Sequence, residues 1–521
     1  MSFRSSSSST RVFQAIALGV ILLATYLIPK VVRWRNRMAK LNAIPTVGNS
    51  GFFSSYISAR RFKDHAPEII QEGYRKASLF YPGQAFKVPL PDRWHVIVSG
   101  EEMVNDLKKA SDFDVSFDDA TSETMQTEYT LGKDAKNPYT IPVVRSSLTR
   151  ALPSQFHDLQ DEIEASFNDL IPAKETEWMK VSMLSTVMKL VSRTSNRFFV
   201  GLPLCRDPDY VDLNINFTID AFNGATTLRH YPGFLKPLVR QFLTNVPECM
   251  ARAQKHLAPI IEERLAKEKT YGTLDWPDKP NDLITWLLDE AHVQGNGKRP
   301  EDIVTKTVHY VILVNFAAIH TTSITFTNTI YYLAANPEIA DPLREEINST
   351  LQELGWTKGA MGKMIKLDSF LKETQRLTGV SGLSMDRMVL RDFTFSNGTV
   401  VPAGTIVGTA LYGLHHDEAH YDDPETFRPF RFSAVREHDG ENLKHQMVAI
   451  DPSFGLFGGG RHMCPGRFFA VNEIKALIAH VLLTYDVKFE DDKGVPPPVW
   501  NGAAYSPNRS AEVMFRKRAE A

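Results

Sequence analysis

The chain has 521 residues, with 59 Lys and Arg against 61 Asp and Glu, a formal net charge of −2 and three cysteines. That near balance excludes the basic face a nucleic-acid-coating protein needs, and 43% hydrophobic with 23% charged residues excludes wholesale disorder, collagen and coiled coil. Cys205, Cys249 and Cys464 are far apart and odd in number, so they build neither a disulfide framework nor a Cys-x-x-Cys zinc site, and any cysteine chemistry rests on one thiol.

Residues 2–10 are Ser-rich, and residues 12–28 form an apolar run softened only by Gln14, Thr25 and Tyr26. The run is just long enough for a bilayer core of roughly 30 Å, and no small-x-small cleavage site follows it, which predicts a transmembrane anchor and not a signal peptide. Lys30, Arg33, Arg35, Arg37 and Lys40 follow it, against Arg4 and Arg11 before, which predicts a single-pass protein whose body faces the cytosol. On that topology the sequons opened by Asn216, Asn348, Asn397 and Asn508 carry no glycan. Residues 29–51 read as a basic, turn-rich hinge with Pro45, Gly48 and Gly51, and residues 52–521 as one large domain.

Within that domain, residues 86–99 carry two short β patterns separated by Pro89 and Pro91, and residues 392–411 carry more, with Asn397-Gly398 as a hairpin turn. Apolar residues at three-and-four spacing predict helices over 154–170, 176–199, 246–269, 280–293, 301–335, 337–353, 367–377 and 466–482. The expected fold is mainly α with a small β-sheet region drawn from distant parts of the chain. The helix over 301–335 is apolar nearly all round between Tyr310 and Ile319, as a central core helix is; Lys306, His309, Asn315 and His320 argue against a second membrane span.

Near the C-terminus stands Phe457-Gly458-Gly459-Gly460-Arg461-His462-Met463-Cys464-Pro465-Gly466, followed by a helical pattern. Glycines at that density let backbone approach a flat ligand, and the N-terminus of the following helix favours a thiolate. A thiolate can be a nucleophile or a metal ligand. No catalytic-cysteine signature surrounds this one, whereas a haem ligand needs only the loop and a cation for the propionates, such as Arg461.

This decapeptide resembles the haem-binding loop of the cytochrome P450 superfamily, with each fixed position of Phe-Gly-x-Gly-Arg-x-x-Cys-x-Gly present. Two further elements are similar to the family's, in its order: Glu373-Thr374-Gln375-Arg376, and Phe427 to Phe432, whose Arg431 would join Glu373 and Arg376 in a buried ionic cluster. The resemblance implies a cytochrome P450 fold after the anchor, haem b with Cys464 as axial thiolate ligand, and Phe457, Gly460, Arg461 and Arg387 as cofactor-binding residues. The prolines usual before that last arginine are missing around Thr378-Gly379. His415, His416, Asp417, His420, Asp422 and Asp423 fit no metal spacing, and the family's pattern makes this stretch structural.

Ala317-Ala318-Ile319-His320-Thr321-Thr322 resembles the family's oxygen-activation signature, which implies that Thr321 helps deliver protons on the oxygen side. His320 stands where an acid is more common. As a titratable imidazole it has two readings here, a proton relay or a structural residue bonded to backbone.

The implied activity is a membrane-anchored monooxygenase that oxidises a lipophilic small molecule. The His-Thr-Thr signature and Ile141-Pro142-Val143-Val144-Arg145 are similar to fungal biosynthetic members, pointing to a terpenoid or steroid-like secondary metabolite and to the endoplasmic reticulum membrane. With no Gly-x-Gly-x-x-Gly fingerprint in the chain, electrons are expected from a separate NADPH-cytochrome reductase, with cytochrome b5 as a second donor. A haem-thiolate isomerase, dehydratase or peroxygenase would keep Cys464 and need no reductase. A non-catalytic haem-binding protein would not need the threonine signature.

Overall fold

A computed structural model describes residues 6–79, 85–132, 139–273, 276–436, 443–449 and 451–519. The chain folds as two compact units, of residues 1–62, 72–116 and 387–408, and of residues 63–71, 117–386 and 409–521.

The smaller unit carries helix α1 (Ser6–Asn42), which continues through Pro29 and the basic residues expected to lie in a hinge. Its sheet is formed by β1 (Phe86–Pro89), β2 (Trp94–Val98) and β3 (Val115–Ser116), with two later strands named below. The end of α1 is tied down within this unit. Buried Lys87 donates its Nζ to the carbonyls of Leu41 at 2.7 Å and Ile44 at 2.6 Å, where a cation suits the helix C-terminus. Arg37 donates to the Gly404 carbonyl at 2.8 Å, and Lys40 pairs with Asp392.

The larger unit is helical. In chain order it has α2 (Phe156–Leu170), strand β4 (Met179–Ser182), α3 (Met183–Phe199), α4 (Pro208–Arg229), α5 (Val246–Tyr271), α6 (Leu283–Gln294), α7 (Ile303–Ala335) and α8 (Ile365–Thr378). Strands β5 (Ser384–Val389) and β6 (Ile406–Thr409), the two later strands of the smaller unit's sheet, come next in the chain, and the larger unit goes on with α9 (Arg467–Thr484), β7 (Tyr485–Lys488) and β8 (Glu512–Lys517). The five-stranded sheet runs β1-β2-β6-β5-β3, so the two distant β regions do share a sheet. A three-stranded sheet runs β4-β8-β7.

The segment expected as one helix over 176–199 is therefore a strand and a helix. Val181 pairs with Val513, and Met179 with Phe515. Helix α4 was not marked by apolar spacing, because polar residues interrupt its faces. Its start is legible chemically: Asp207 accepts from the Tyr210 N–H at 2.9 Å, with Pro208 in the first turn.

Helix α7 is long and apolar enough to cross a bilayer by composition alone. It is instead enclosed by α3, α4, α5, α6, α8 and α9, and most of its side chains are buried. That enclosure makes any exposed residue on it informative.

Candidate active site

Glycines at φ +53° (Gly455), +73° (Gly458) and +69° (Gly460) turn the loop before α9, which side chains at those positions would strain. The loop closes on itself where the Cys464 N–H donates to the Phe457 carbonyl at 2.9 Å. Burial pushes the Cys464 thiol pKa up. Against that, the backbone N–H of Gly466, the charge of Arg467 and the Arg467 N–H pull it down. These are the first groups of α9, so the helix terminus is aimed at the sulfur.

Gly460 and Arg461 lie exposed in a single 3-10 turn, and Phe457 is half-buried. Residues 143–148 form the loop's other support: Arg145 reaches the Arg461 carbonyl at 3.4 Å, and Val144 faces Gly466. The His462 ring stacks on Phe117 with centroids 5.2 Å apart. None of these three contacts had a sequence signal, since Phe117, Val144 and Arg145 all lie more than 300 residues upstream of their partners.

On α7, Ala317 and Thr321 are exposed one turn apart, while Asn315, Ile319, Thr322 and Ser323 around them are buried. These two small side chains are thus an accessible patch on a helix that is otherwise mostly buried. Thr321 Oγ1 donates back to the Ala317 carbonyl at 2.9 Å, leaving its lone pairs as acceptors until the hydroxyl rotates.

His320 points the other way. Its ring Nε2 donates to the Ile215 carbonyl on α4 at 2.8 Å, and burial holds its pKa below the ordinary value. Beside it, Phe316 stacks on Phe222 of α4 at 5.6 Å and meets Phe217 edge-on at 6.4 Å.

Glu373, Arg376 and Arg431 meet in the interior. Both Glu373 oxygens accept from Arg376 at 2.9 Å, and both lie 3.1 Å from Arg431 Nε. The Arg428 N–H adds a bond at 3.0 Å to Oε1. Arg376 Nη1 spends its protons on the carbonyls of His415 and Pro424, both at 2.7 Å. Each charge is thereby paired and its remaining hydrogen-bonding capacity used, the condition under which burial is tolerable. Arg387 is placed in the smaller unit, buried on β5.

The donor set fits a haem. The loop presents a single sulfur donor surrounded by glycine backbone, the kind of donor by which a protein holds haem iron. The residues that would hold it are Cys464 through sulfur and the glycine loop through backbone.

A glycine-turned cysteine loop ahead of a helix N-terminus, in a mainly helical body with small exposed side chains on its central helix, is the arrangement of the haem-thiolate oxidoreductases. The chain belongs to the cytochrome P450 family, whose family model, described as Cytochrome P450, matches residues 57–515. It is 44% identical to Cytochrome P450 monooxygenase 151 of Postia placenta over 479 residues, covering 92% of this chain and 94% of that one. It is 33% identical to Cytochrome P450 monooxygenase CYP512U6 of Ganoderma lucidum, covering 98% and 96%. Among solved structures, retinoic acid-bound cyanobacterial CYP120A1 superposes with a TM-score of 0.67 at 18% identity, covering 91% of this chain and 99% of that one. The protein is accordingly a monooxygenase carrying haem on a cysteine thiolate, an oxidoreductase that incorporates one oxygen atom from O2.

Proposed function

We propose that this protein is a membrane-anchored monooxygenase that oxidises a bulky lipophilic molecule of terpenoid or steroid type, with Cys464 as the axial ligand and Arg461 as a propionate partner. When bound, the haem supplies the redox chemistry that divides dioxygen and oxidises the substrate. The chain's own residues do the rest. Backbone N–H groups of Gly466 and Arg467 stabilise charge on the Cys464 sulfur. Thr321 holds and passes a proton at Oγ1 on the open face of α7. The Phe316, Phe222 and Phe217 cluster supplies apolar surface beside that face and excludes water.

The observation that carries the reading is the accessible patch at Ala317 and Thr321 on an otherwise mostly buried helix. Anchoring is supported by large apolar side chains left exposed along α1, among them Phe13, Ile16, Tyr26, Leu27, Ile28 and Trp34. Apolar exposure continuing past residue 28 lengthens the span, and Trp34 suits the headgroup level. Electrons come from an NADPH-cytochrome reductase, with cytochrome b5 as a second donor, at the endoplasmic reticulum membrane.

The test is turnover of a terpenoid and sterol panel by the full chain in vesicles with a fungal reductase. Product formation strictly dependent on NADPH, O2 and reductase is expected, with about tenfold or more lost in Thr321→Ala. Product without NADPH would replace this reading with an isomerase, dehydratase or peroxygenase.

A further inference from the structure

The cysteine loop is gripped at its entrance by α8, through residues outside the Glu373 cluster. Lys372, wholly buried, donates its Nζ to Asp451 Oδ2 at 3.0 Å and to the His445 carbonyl at 3.4 Å. The ammonium also lies over the rings of Phe432, at 4.3 Å, and Phe454, at 4.8 Å. Asp451 passes the grip into the loop: its Oδ1 accepts from the N–H and hydroxyl of Ser453, at 2.9 and 2.6 Å, and its carbonyl from the N–H groups of Phe454 and Gly455.

Two more bonds hold the same four residues. His415 Nε2 donates to the Phe454 carbonyl, and the Tyr421 hydroxyl donates to the Ser453 carbonyl at 2.8 Å. Both residues meet Arg376, which donates to the His415 backbone carbonyl and lies 4.9 Å from the Tyr421 ring centroid. From there the loop runs by the Gly458 N–H to Gly455 carbonyl bond and the Cys464 N–H to Phe457 carbonyl bond up to the sulfur.

We propose that Lys372 and Asp451 are positioning residues for the thiolate: their buried ion pair fixes the loop entrance on α8 and thereby the place of Cys464. Among the described residues, side chains of Lys372 on α8 and of His415 and Tyr421 anchor that entrance. A buried pair of this kind contributes little net stability against an apolar replacement, but it fixes one arrangement. Holding Cys464 in register is what it is retained for.

The proposal rests on Cys464 as the ligand, so the experiment reads the tether separately from ligation. Haem-loaded Lys372→Met, Asp451→Asn and the double variant are compared with wild type by amide hydrogen exchange over residues 453–464 and by the lifetime of the red-shifted Soret band of the reduced carbon monoxide complex. Single variants leave one buried group unpaired and lose global stability as well. The double variant leaves no buried charge orphaned and keeps an oxygen for Ser453, so it carries the test where a single variant fails to accumulate. Expected in the double variant is loop exchange faster by about tenfold or more and a band lifetime shortened alike, with exchange in α2 and α3 unchanged. Wild-type loop protection and band lifetime in the double variant would overturn the proposal. A wild type without the red-shifted band would instead overturn Cys464 ligation, whatever the exchange data show.

Discussion

His320 illustrates how one hydrogen bond decides between two roles. A carbonyl only accepts, so the Nε2 facing Ile215 carries the proton, and burial keeps the ring neutral near pH 7. The side chain thus ties α7 to α4 and is turned away from the face that bears Thr321. On this account His320→Ala costs about 1 to 2 kcal/mol of stability but leaves the peroxide released per NADPH consumed unchanged. A several-fold rise in peroxide leakage, measured beside product yield, would restore the relay. Residue chemistry was legible where partners are near in sequence or joined by a rare motif: Glu373 and Arg376 share a helix face because they are three apart. It was illegible where geometry supplies the partner. Lys372 and Asp451 are 79 positions apart, and His320 and Ile215 are 105 apart, and no spacing rule links either pair.

At the level of elements, apolar periodicity recovered the helices whose one face is buried and failed where the environment differs. Helix α7 was legible because its all-round apolarity matches enclosure by six neighbours. Residues 179–182 were not, because their strand character is conferred by pairing with β8 more than 300 residues later. Basic residues after the apolar run show a similar division. Counted from sequence they signal orientation, yet in the fold Arg37 and Lys40 bind Gly404 and Asp392, and Lys87 grips the Leu41 carbonyl at the end of α1 and the Ile44 carbonyl just past it. The helix ends in a fixed junction, and the turn-rich connection is confined to residues after Asn42.

For the molecule as a whole, buried titratable groups set the pH dependence of stability. Burial holds His415 near a pKa of about 3 and His480 near about 4, so the native state leaves both neutral while the unfolded chain takes up protons below about 6.5. Their contribution is present above that pH and is lost as pH falls. Glu473 works oppositely: burial pushes it up to about 7, against hydrogen bonds from Thr194 and Ser195, so its contribution is present below about 4.5 and is lost as pH rises toward 7. Between about pH 6.5 and 4.5 these two histidines, joined by His320, which burial also holds low, outweigh Glu473, and stability falls on acidification. Glu473→Gln removes the opposing group, so denaturant midpoints at pH 7, 6 and 5 are expected to fall more steeply than in wild type. Equal slopes would mean that Glu473 is ionised in the native state.

The fold, the loop and the accessible patch on α7 all converge on one sulfur among three, and the reduced carbon monoxide spectrum of cysteine variants tests that convergence most directly. Cys205 and Cys249 are buried thiols raised to about 12 by desolvation and neighbouring carboxylates. The account predicts the red-shifted Soret band in wild type and in Cys205→Ala/Cys249→Ala, and its loss in Cys464→Ser. A Cys464→Ser protein that keeps the band would contradict it.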